Sequence, residues 1–106
     1  MKEYPKHTRV MKRVTVVTEA LIAEKLQEEF LRIGASGYTT TKAEGRGSRG
    51  VRASDWEGRN VKIESIVTPS VAAAILHHLS EHYFEHYAVI AYSHDVEVIR
   101  GDKFAK

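Results

Sequence analysis

Two stretches of this chain follow the same order of predicted elements, and that repetition limits the folds open to it. The first begins with VMKRVTVVT, Val10–Thr18, whose β-branched residues favour a strand. A helix follows, with Thr18 as its predicted N-cap and Gly34 as its stop. A threonine-rich second strand is predicted over Gly37–Ala43. The helix carries apolar side chains at helical spacing on one face: Ile22, Leu26, Phe30 and Ile33.

The second half repeats this order. NVKIESIV, Asn60–Val67, predicts a third strand, and Thr68–Pro69 marks a helix start because proline at the first helical position loses no needed hydrogen bond. The chain then returns through a fourth strand, Tyr87–Tyr92, and a short fifth strand, Asp95–Arg100. Two consecutive strand-helix-strand halves predict an α+β, ferredoxin-like βαββαβ sandwich, in which an antiparallel sheet has both helices on one face. The second helix presents the apolar residues Ala72, Ile75, Leu76, Leu79 and Tyr83.

Composition indicates an ordinary globular protein. Of the 106 residues, 42% are hydrophobic and 28% are charged, so residues 1–106 are predicted to form one domain around one core. The sequence has no apolar run near the roughly 20 residues that span a bilayer, and it has no cysteine. We therefore expect a cytoplasmic protein that is not membrane-embedded. The second face of a small open sheet usually finds a partner, which predicts a homo-oligomer.

A long connection joins the two halves and holds little that could enter a core. TKAEGRGSRGVRASDWEG spans Thr41–Gly58, whereas the halves of such a fold need only about 2–5 residues between them. From Lys42 to Lys62 there are six cations and three anions. Glycine lets backbone N–H groups converge on an anion, and arginine can contact two phosphate oxygens at once. The insertion, about residues 41–59, therefore predicts a loop that binds a small anion.

Four segments of the sequence resemble the PII-like signal-transduction proteins. They are GYTTTKAEGRGSRG after the first helix, VKIESIV in the third strand, HYFEHYAVIAY after the second helix and VEVIRG near the end. The similarity is to the bicarbonate-related branch, whose members accompany bicarbonate transporters or carboxysomes. It implies a homotrimer whose sheets line the inside, with adenine nucleotides in the clefts between subunits. It also implies that Thr41–Gly58 is a T-loop whose order depends on the nucleotide, in a regulator that is not an enzyme.

The resemblance also implies a set of site residues. The loop would meet the phosphates, the second and third strands would border the cleft, and the last strand would close over the nucleotide from a neighbouring subunit. The implied nucleotide-binding residues are Gly37, Thr39, Gly45, Arg46, Gly47, Ser48, Arg49, Lys62, Ile66, Val89 and Arg100. Bicarbonate would lie beside the phosphate, at Arg46, Arg49 and Glu64. Arg52 and Trp56 would face an unidentified target protein.

One departure from the family concerns the phosphates. Nitrogen-sensing members carry T-G-x-x-G-D-G-K, which wraps the phosphates of ATP, where this chain has HYFEHYAV. Without those glycines and that lysine, the resemblance implies ADP, AMP or cyclic AMP in preference to ATP. The resemblance to the bicarbonate-related branch further implies that the target is a bicarbonate transporter or a carboxysome-related protein.

A histidine-based metal site is an alternative from a different class. His78, His82 and His86 recur every four residues, a spacing that could bind Zn²⁺ or Cu²⁺ in a ferredoxin-like trimer. Exposed histidines on a helix are the commoner arrangement, and no complete ligand set accompanies these three. We therefore expect no metal.

Two further interpretations concern the insertion and its carboxylates. The glycine-arginine segment could be a solvated linker or a basic arm for nucleic acid, but its single aromatic, Trp56, is too little for base stacking, and no nucleic-acid partner is expected. Glu64 and Glu44 could form a catalytic pair. A structural pair between Glu64 and Lys62, or a loop arginine, is the commoner arrangement.

Overall fold

The computed structural model describes residues 2–45 and 60–100. Four strands form one sheet in the order β2-β3-β1-β4, and each neighbouring pair is antiparallel. This is the predicted ferredoxin-like α+β arrangement, which is thereby confirmed. In chain order the elements are β1 (Thr8–Glu19), α1 (Ala20–Ile33), β2 (Thr39–Ala43), β3 (Asn60–Val67), α2 (Pro69–His82) and β4 (Val89–Ile99). No helix in these two ranges is long and apolar enough to cross a membrane.

The core lies between the two helices and one face of the sheet. Val16 of β1 pairs with Ile63 of β3, and both side chains are fully buried. Leu26 and Phe30 of α1 pack into the same cluster, together with residues of α2. Because strand side chains alternate, the intervening residues of β1 and β3 point to the opposite face, which neither helix covers. The buried α2 residues are Ala72, Ile75 and Leu79, followed by Tyr83.

The helix boundaries follow local sequence signals with one exception. Thr68 Oγ1 accepts the N–H of Val71 at 3.3 Å ahead of Pro69, as the sequence predicts. Thr18 is wrong as the N-cap of α1, because it is still paired within β1 and is buried. Glu19 occupies the cap position instead, without a side-chain capping bond.

Gly34 ends α1 for two physical reasons. Its φ is +140°, a conformation that residues with a side chain rarely adopt. A Cβ at this position would also lie 3.0 Å from Cγ2 of Val71 on α2. The predicted stop is confirmed, and it allows α1 and α2 to approach closely.

The last part of the chain forms one strand and not two. The separate strands Tyr87–Tyr92 and Asp95–Arg100 are wrong, because β4 pairs continuously with β1 from Thr18–Val89 to Thr8–Ile99. The interruption suggested by Ser93 and His94 is overridden by pairing with a 12-residue partner strand. The observed β2 is also shorter than the predicted strand, since it begins at Thr39 and not at Gly37.

Candidate functional site

The uncovered face of the sheet, called the open face below, carries a mixed set of side chains. Its residues are fixed by the strand registers, since paired residues share a face. One row runs across all four strands, from Thr39 through Glu64 and Thr15 to Tyr92. Polar and charged side chains outnumber aliphatic ones on this face. Its members include Arg13, Thr15, Val17, Thr39, Thr41, Lys62, Glu64, Ile66, Ile90, Tyr92 and His94.

Four of the predicted site residues meet on this face. Thr39 of β2 lies directly opposite Glu64 of β3, and Lys62 and Ile66 flank Glu64 on the same strand. All three β3 side chains are half-buried. Ionic, hydroxyl and apolar groups thus stand side by side near the sheet edge at β2. Such a set can bind a ligand that has both polar and apolar parts.

Glu64 is held by residues of β1. Arg13 Nε lies 3.6 Å from Glu64 Oε2, an ion-pair distance too long for a hydrogen bond, and Thr15 Oγ1 donates to the same oxygen at 3.5 Å. Within residues 2–45 and 60–100 the cation paired with Glu64 is thus Arg13 and not the expected Lys62, and the other expected partner, a loop arginine, lies outside the described residues. Arg13 was missed because its partner is distant in sequence. The alternation within β1 gave the only usable signal, since it places Arg13 and Thr15 on one face.

Two aromatic rings extend the open face along β4. Tyr92 and His94 stack with their planes 16° apart and their centroids at 6.4 Å. His94 pairs in register with Arg13, and Tyr92 pairs with Thr15. Ile90, next along the same face, is 61% exposed. The β4 side of the open face is thus the more apolar side.

Val89 and Arg100 lie apart from this group in a single copy of the chain. Val89 pairs with Thr18 and packs partly buried against the core, so its side chain is on the helix-covered face. Arg100 is exposed, follows the last residue of β4 and has a φ of +70°. The two ends of this 11-residue strand are about 30 Å apart. Arg100 could join the other residues only from another copy.

The insertion leaves the sheet at a definite end. Ala43 pairs with Asn60, and Asn60 pairs with Glu19, so the last residues of β1 and β2 lie at the same end of the sheet. Gly45 is exposed just beyond, and a Cβ there would meet nothing within 4 Å. The other predicted loop residues lie outside the described residues: Arg46, Gly47, Ser48, Arg49, Arg52 and Trp56.

The turn after α2 lies at this same end, and most of its backbone donors are already used. The N–H groups of His86 and Tyr87 both donate to the carbonyl of Tyr83, at 3.2 and 3.0 Å. The N–H of Ala88 donates to Oε2 of Glu19 at 3.0 Å. These amides cannot also surround a phosphate without breaking those bonds.

The histidines of α2 take part in contacts within the protomer. His78 Nε2 lies 2.8 Å from Oε1 of Glu29 on α1, and its ring lies 4.7 Å from that of His82. His77 contacts Glu81 at 3.2 Å, one turn along the helix. Across residues 2–45 and 60–100, no three side chains of the kinds that bind metals are grouped as a metal site.

Glu29 is the centre of a half-buried polar cluster between the helices. The hydroxyl of Tyr83 also donates to Oε1 of Glu29, at 2.8 Å. Burial raises the pKa of Glu29, but the hydrogen bonds from Tyr83 and His78 and the nearby positive charge outweigh it, so the pKa of Glu29 is lowered. Burial, and then the bond to Glu29, raise the pKa of Tyr83 to about 12.

The fold and the open face define a ferredoxin-like domain with a long insertion between its halves. Residues 11–103 match the model of the family described as nitrogen regulatory protein P-II. The chain therefore belongs to the P-II family of regulatory proteins, which confirms the resemblance inferred from the sequence.

Solved structures agree with this assignment. A PII-like signalling protein from Thermus thermophilus is 52% identical, with a TM-score of 0.82 over 92% of this chain and 98% of that one. CPII from Thiomonas intermedia, solved with ADP and bicarbonate, is 24% identical, with a TM-score of 0.79 over 92% of this chain and 96% of that one. The same protein with ADP, AMP and bicarbonate is 22% identical in its aligned part, with a TM-score of 0.79 over 93% and 97%. At these identities CPII shows the shared fold.

Proposed function

We propose that this protein is a cytoplasmic, non-enzymatic sensor that binds ADP or AMP in clefts between three copies of the chain. Cyclic AMP is a further candidate ligand, and bicarbonate is a second ligand beside the phosphate. A change in the order of the 41–58 loop reports the bound state to a target protein. That target is a bicarbonate transporter or a carboxysome-related protein.

The observation that carries this proposal is the convergence of Thr39, Lys62, Glu64 and Ile66 on one sheet face in a P-II family member. These residues stand on the two strands from which the arginine-rich insertion starts and to which it returns. A nucleotide on this edge would lie within reach of both the sheet and the insertion. The ligands of CPII, which shares the fold, supply the chemistry of the proposed ligands.

The position of Arg100 supports a site built from more than one copy. It lies about 30 Å along β4 from the loop-bearing end of the sheet. An arginine at that distance can close over a ligand only in a neighbouring protomer. The open face, which neither helix covers, supplies the surface through which such copies would associate.

A preference for fewer phosphates follows from the turn after α2. The N–H groups of His86, Tyr87 and Ala88 already have acceptors in the protein. A third phosphate would find few backbone donors here and would lie near the carboxylate of Glu19. ADP and AMP therefore fit better than ATP.

The loop carries the response in this proposal. Phosphate oxygens would neutralise Arg46 and Arg49, and bicarbonate would lie between these side chains and Glu64. An order-disorder change of a segment is a common switch, and a ligand drives it only through different affinities for the two states. The surface that includes Arg52 and Trp56 would change with it.

Isothermal titration calorimetry tests the proposal. AMP, ADP, cyclic AMP and ATP are titrated with and without bicarbonate into the wild type and the R46A/R49A double variant. We expect saturable binding of ADP or AMP, weaker binding of ATP, and at least about tenfold weaker ADP binding in the double variant, since two charge-assisted contacts are lost.

Arg32→Ala is the matched control, because Arg32 is an exposed arginine in the last turn of α1. Its affinity for ADP should equal that of the wild type. Absence of heat with all four nucleotides, with or without bicarbonate, would contradict the proposed function. Equal affinity in the wild type and the double variant would contradict the assignment of the loop arginines.

A further inference from the structure

The segment between α1 and β2 approaches the proposed site, and it is fixed at several points. At its start, the N–H of Ala35 donates to the carbonyl of Phe30 at 2.9 Å, and Ala35 is buried. At its end, Thr39 pairs with Glu64 as the first residue of β2. Residues 36–38 between these points belong to neither the helix nor the ladder. Their conformation must be set by other contacts.

Ser65 of β3 supplies such a contact. Its Oγ donates to the carbonyl oxygen of Gly37 at 2.6 Å, a short hydrogen bond, and Ser65 is only 3% exposed. The β2–β3 ladder ends one residue before Ser65, at the pair Thr39–Glu64. The hydroxyl of Ser65 thus connects Gly37 to β3 beyond the last pair of the ladder. A hydroxyl is needed for this bond, and the apolar side chains typical of a buried strand position lack one.

Nothing in the described part of the protomer requires a glycine at position 37. Among the described glycines a positive φ occurs at Gly34 and not at Gly37. A Cβ added to Gly37 would meet nothing within 4 Å. The space beside its Cα is therefore open, and a bare backbone lets another molecule approach closely.

We propose that Ser65 is a positioning residue for the nucleotide site, one that holds the backbone of residues 37–39 in the conformation that receives the ligand. This inference rests on the proposed function. Ser65 does not reach the ligand, because its side chain lies on the helix-covered face, where it pairs in register with Val14. It acts through the carbonyl of Gly37. Thr39, two residues further on, faces the open side beside Glu64.

Substitution of Ser65 tests the assignment. In S65A the Gly37 carbonyl loses its donor, and residues 37–39 gain freedom that ligand binding must then remove. We expect the Kd for ADP to rise about fivefold or more by calorimetry, the size expected for one lost hydrogen bond. S65T keeps the hydroxyl and should restore most of the affinity. Hydrogen exchange at the Tyr38 and Thr39 amides should be faster in S65A and close to wild type in S65T.

Ser93→Ala is the matched control. Ser93 and Ser65 flank Val14 on neighbouring strands of the same face, but Ser93 lies on β4, away from Gly37. S93A should bind ADP like the wild type. If S65A fails to fold, Ser65→Cys replaces it, because a thiol of similar size is only a weak donor.

The outcomes separate this inference from the proposed function. Wild-type protein that binds none of the nucleotides contradicts the proposed function. Wild-type protein that binds ADP while S65A binds it equally well contradicts the positioning role alone. A loss of affinity in S65A that S65T does not restore, or that S93A shares, also contradicts it, because the effect would then be one of packing and not of the hydroxyl.

Discussion

Thr18 is a buried threonine whose hydroxyl has no hydrogen-bond partner among the described residues. It is 1% exposed and lies on the helix-covered face between Val61 and Val89. Thr15, three residues earlier, is equally buried on the other face, but its hydroxyl contacts Glu64. The two threonines therefore differ in hydrogen bonding and not in burial.

Replacing Thr18 with valine should stabilise the protein. The variant T18V removes an unpaired buried hydroxyl and keeps the shape of the side chain, so the free energy of unfolding should rise by about 1 kcal/mol. Urea unfolding followed by circular dichroism measures this change. Thr15→Val is the control and should be neutral or destabilising. A loss of stability in T18V would mean that its hydroxyl is paired.

The hydrogen bond between Tyr83 and Glu29 should make the free energy of unfolding depend on pH in the alkaline range. Because the folded pKa of Tyr83 is raised to about 12, its contribution is complete below the unfolded pKa near 10 and is lost as pH rises through 12. The difference in unfolding free energy between wild type and Y83F should be constant from about pH 8 to 10 and should then shrink. Urea titrations across this range give the difference. A difference that stays constant up to about pH 12 would contradict the raised pKa.

At the scale of elements, the junction of α1 with β2 contains two glycines, of which Gly34 is required by the backbone and Gly37 is not. Gly34 has a φ of +140°, and its Cβ position lies against Val71. We expect Gly34→Ala to lower the free energy of unfolding by about 1–3 kcal/mol, through both backbone strain and the close contact. Thermal and urea unfolding measure the loss.

Gly37→Ala is the companion variant. Its site is sterically open, so the unfolding free energy should change by no more than about 0.5 kcal/mol. The affinity for ADP should fall, because a methyl group would occupy the space proposed for the ligand. A Gly34→Ala variant as stable as Gly37→Ala would contradict the account of the helix end.

Local signals predicted most elements, and non-local pairing explains the misses. Asn60–Val67 and the cap at Thr68 follow directly from β-branched residues and a threonine-proline start. Thr18 looked like a helix cap, but pairing with β3 and β4 keeps it in a strand. The sequence also predicted a gap between two strands at Ser93 and His94, because no local signal reveals that the long strand β1 pairs with this whole segment.

The site was predicted less completely than the fold. Alternation along β3 and the family resemblance together were enough to group Lys62, Glu64 and Ile66. The ion pair of Glu64 with Arg13 and the bond from Ser65 to Gly37 join distant segments, so they required the sheet register. The predicted contacts of Arg46 and Arg49 remain predictions.

At the scale of the whole molecule, the open face is the surface on which assembly would depend. Ile90 is 61% exposed there, between the polar row at Thr15 and the loop-bearing end of the sheet. Leu21 on α1 is 73% exposed and belongs to the helical side. These two residues offer a comparison between the two sides of the protomer.

Ile90→Asp should prevent formation of the proposed trimer while the protomer stays folded. A carboxylate buried between copies without a partner is strongly unfavourable, whereas in a single protomer the position faces solvent. Light scattering after size-exclusion chromatography should give the mass of one chain, with an unchanged circular dichroism spectrum. Leu21→Asp should remain trimeric. A trimeric I90D variant would contradict association through the open face.

Native mass spectrometry of the wild-type protein with ADP tests whether the nucleotide binds between three copies of the chain, because one spectrum reports both the number of chains and the number of ligands. We expect a trimer that binds up to three ADP molecules, since each proposed cleft between neighbours would form one site. A monomer at all protein concentrations, or a trimer that stays free of nucleotide at saturating ADP and AMP, would contradict it.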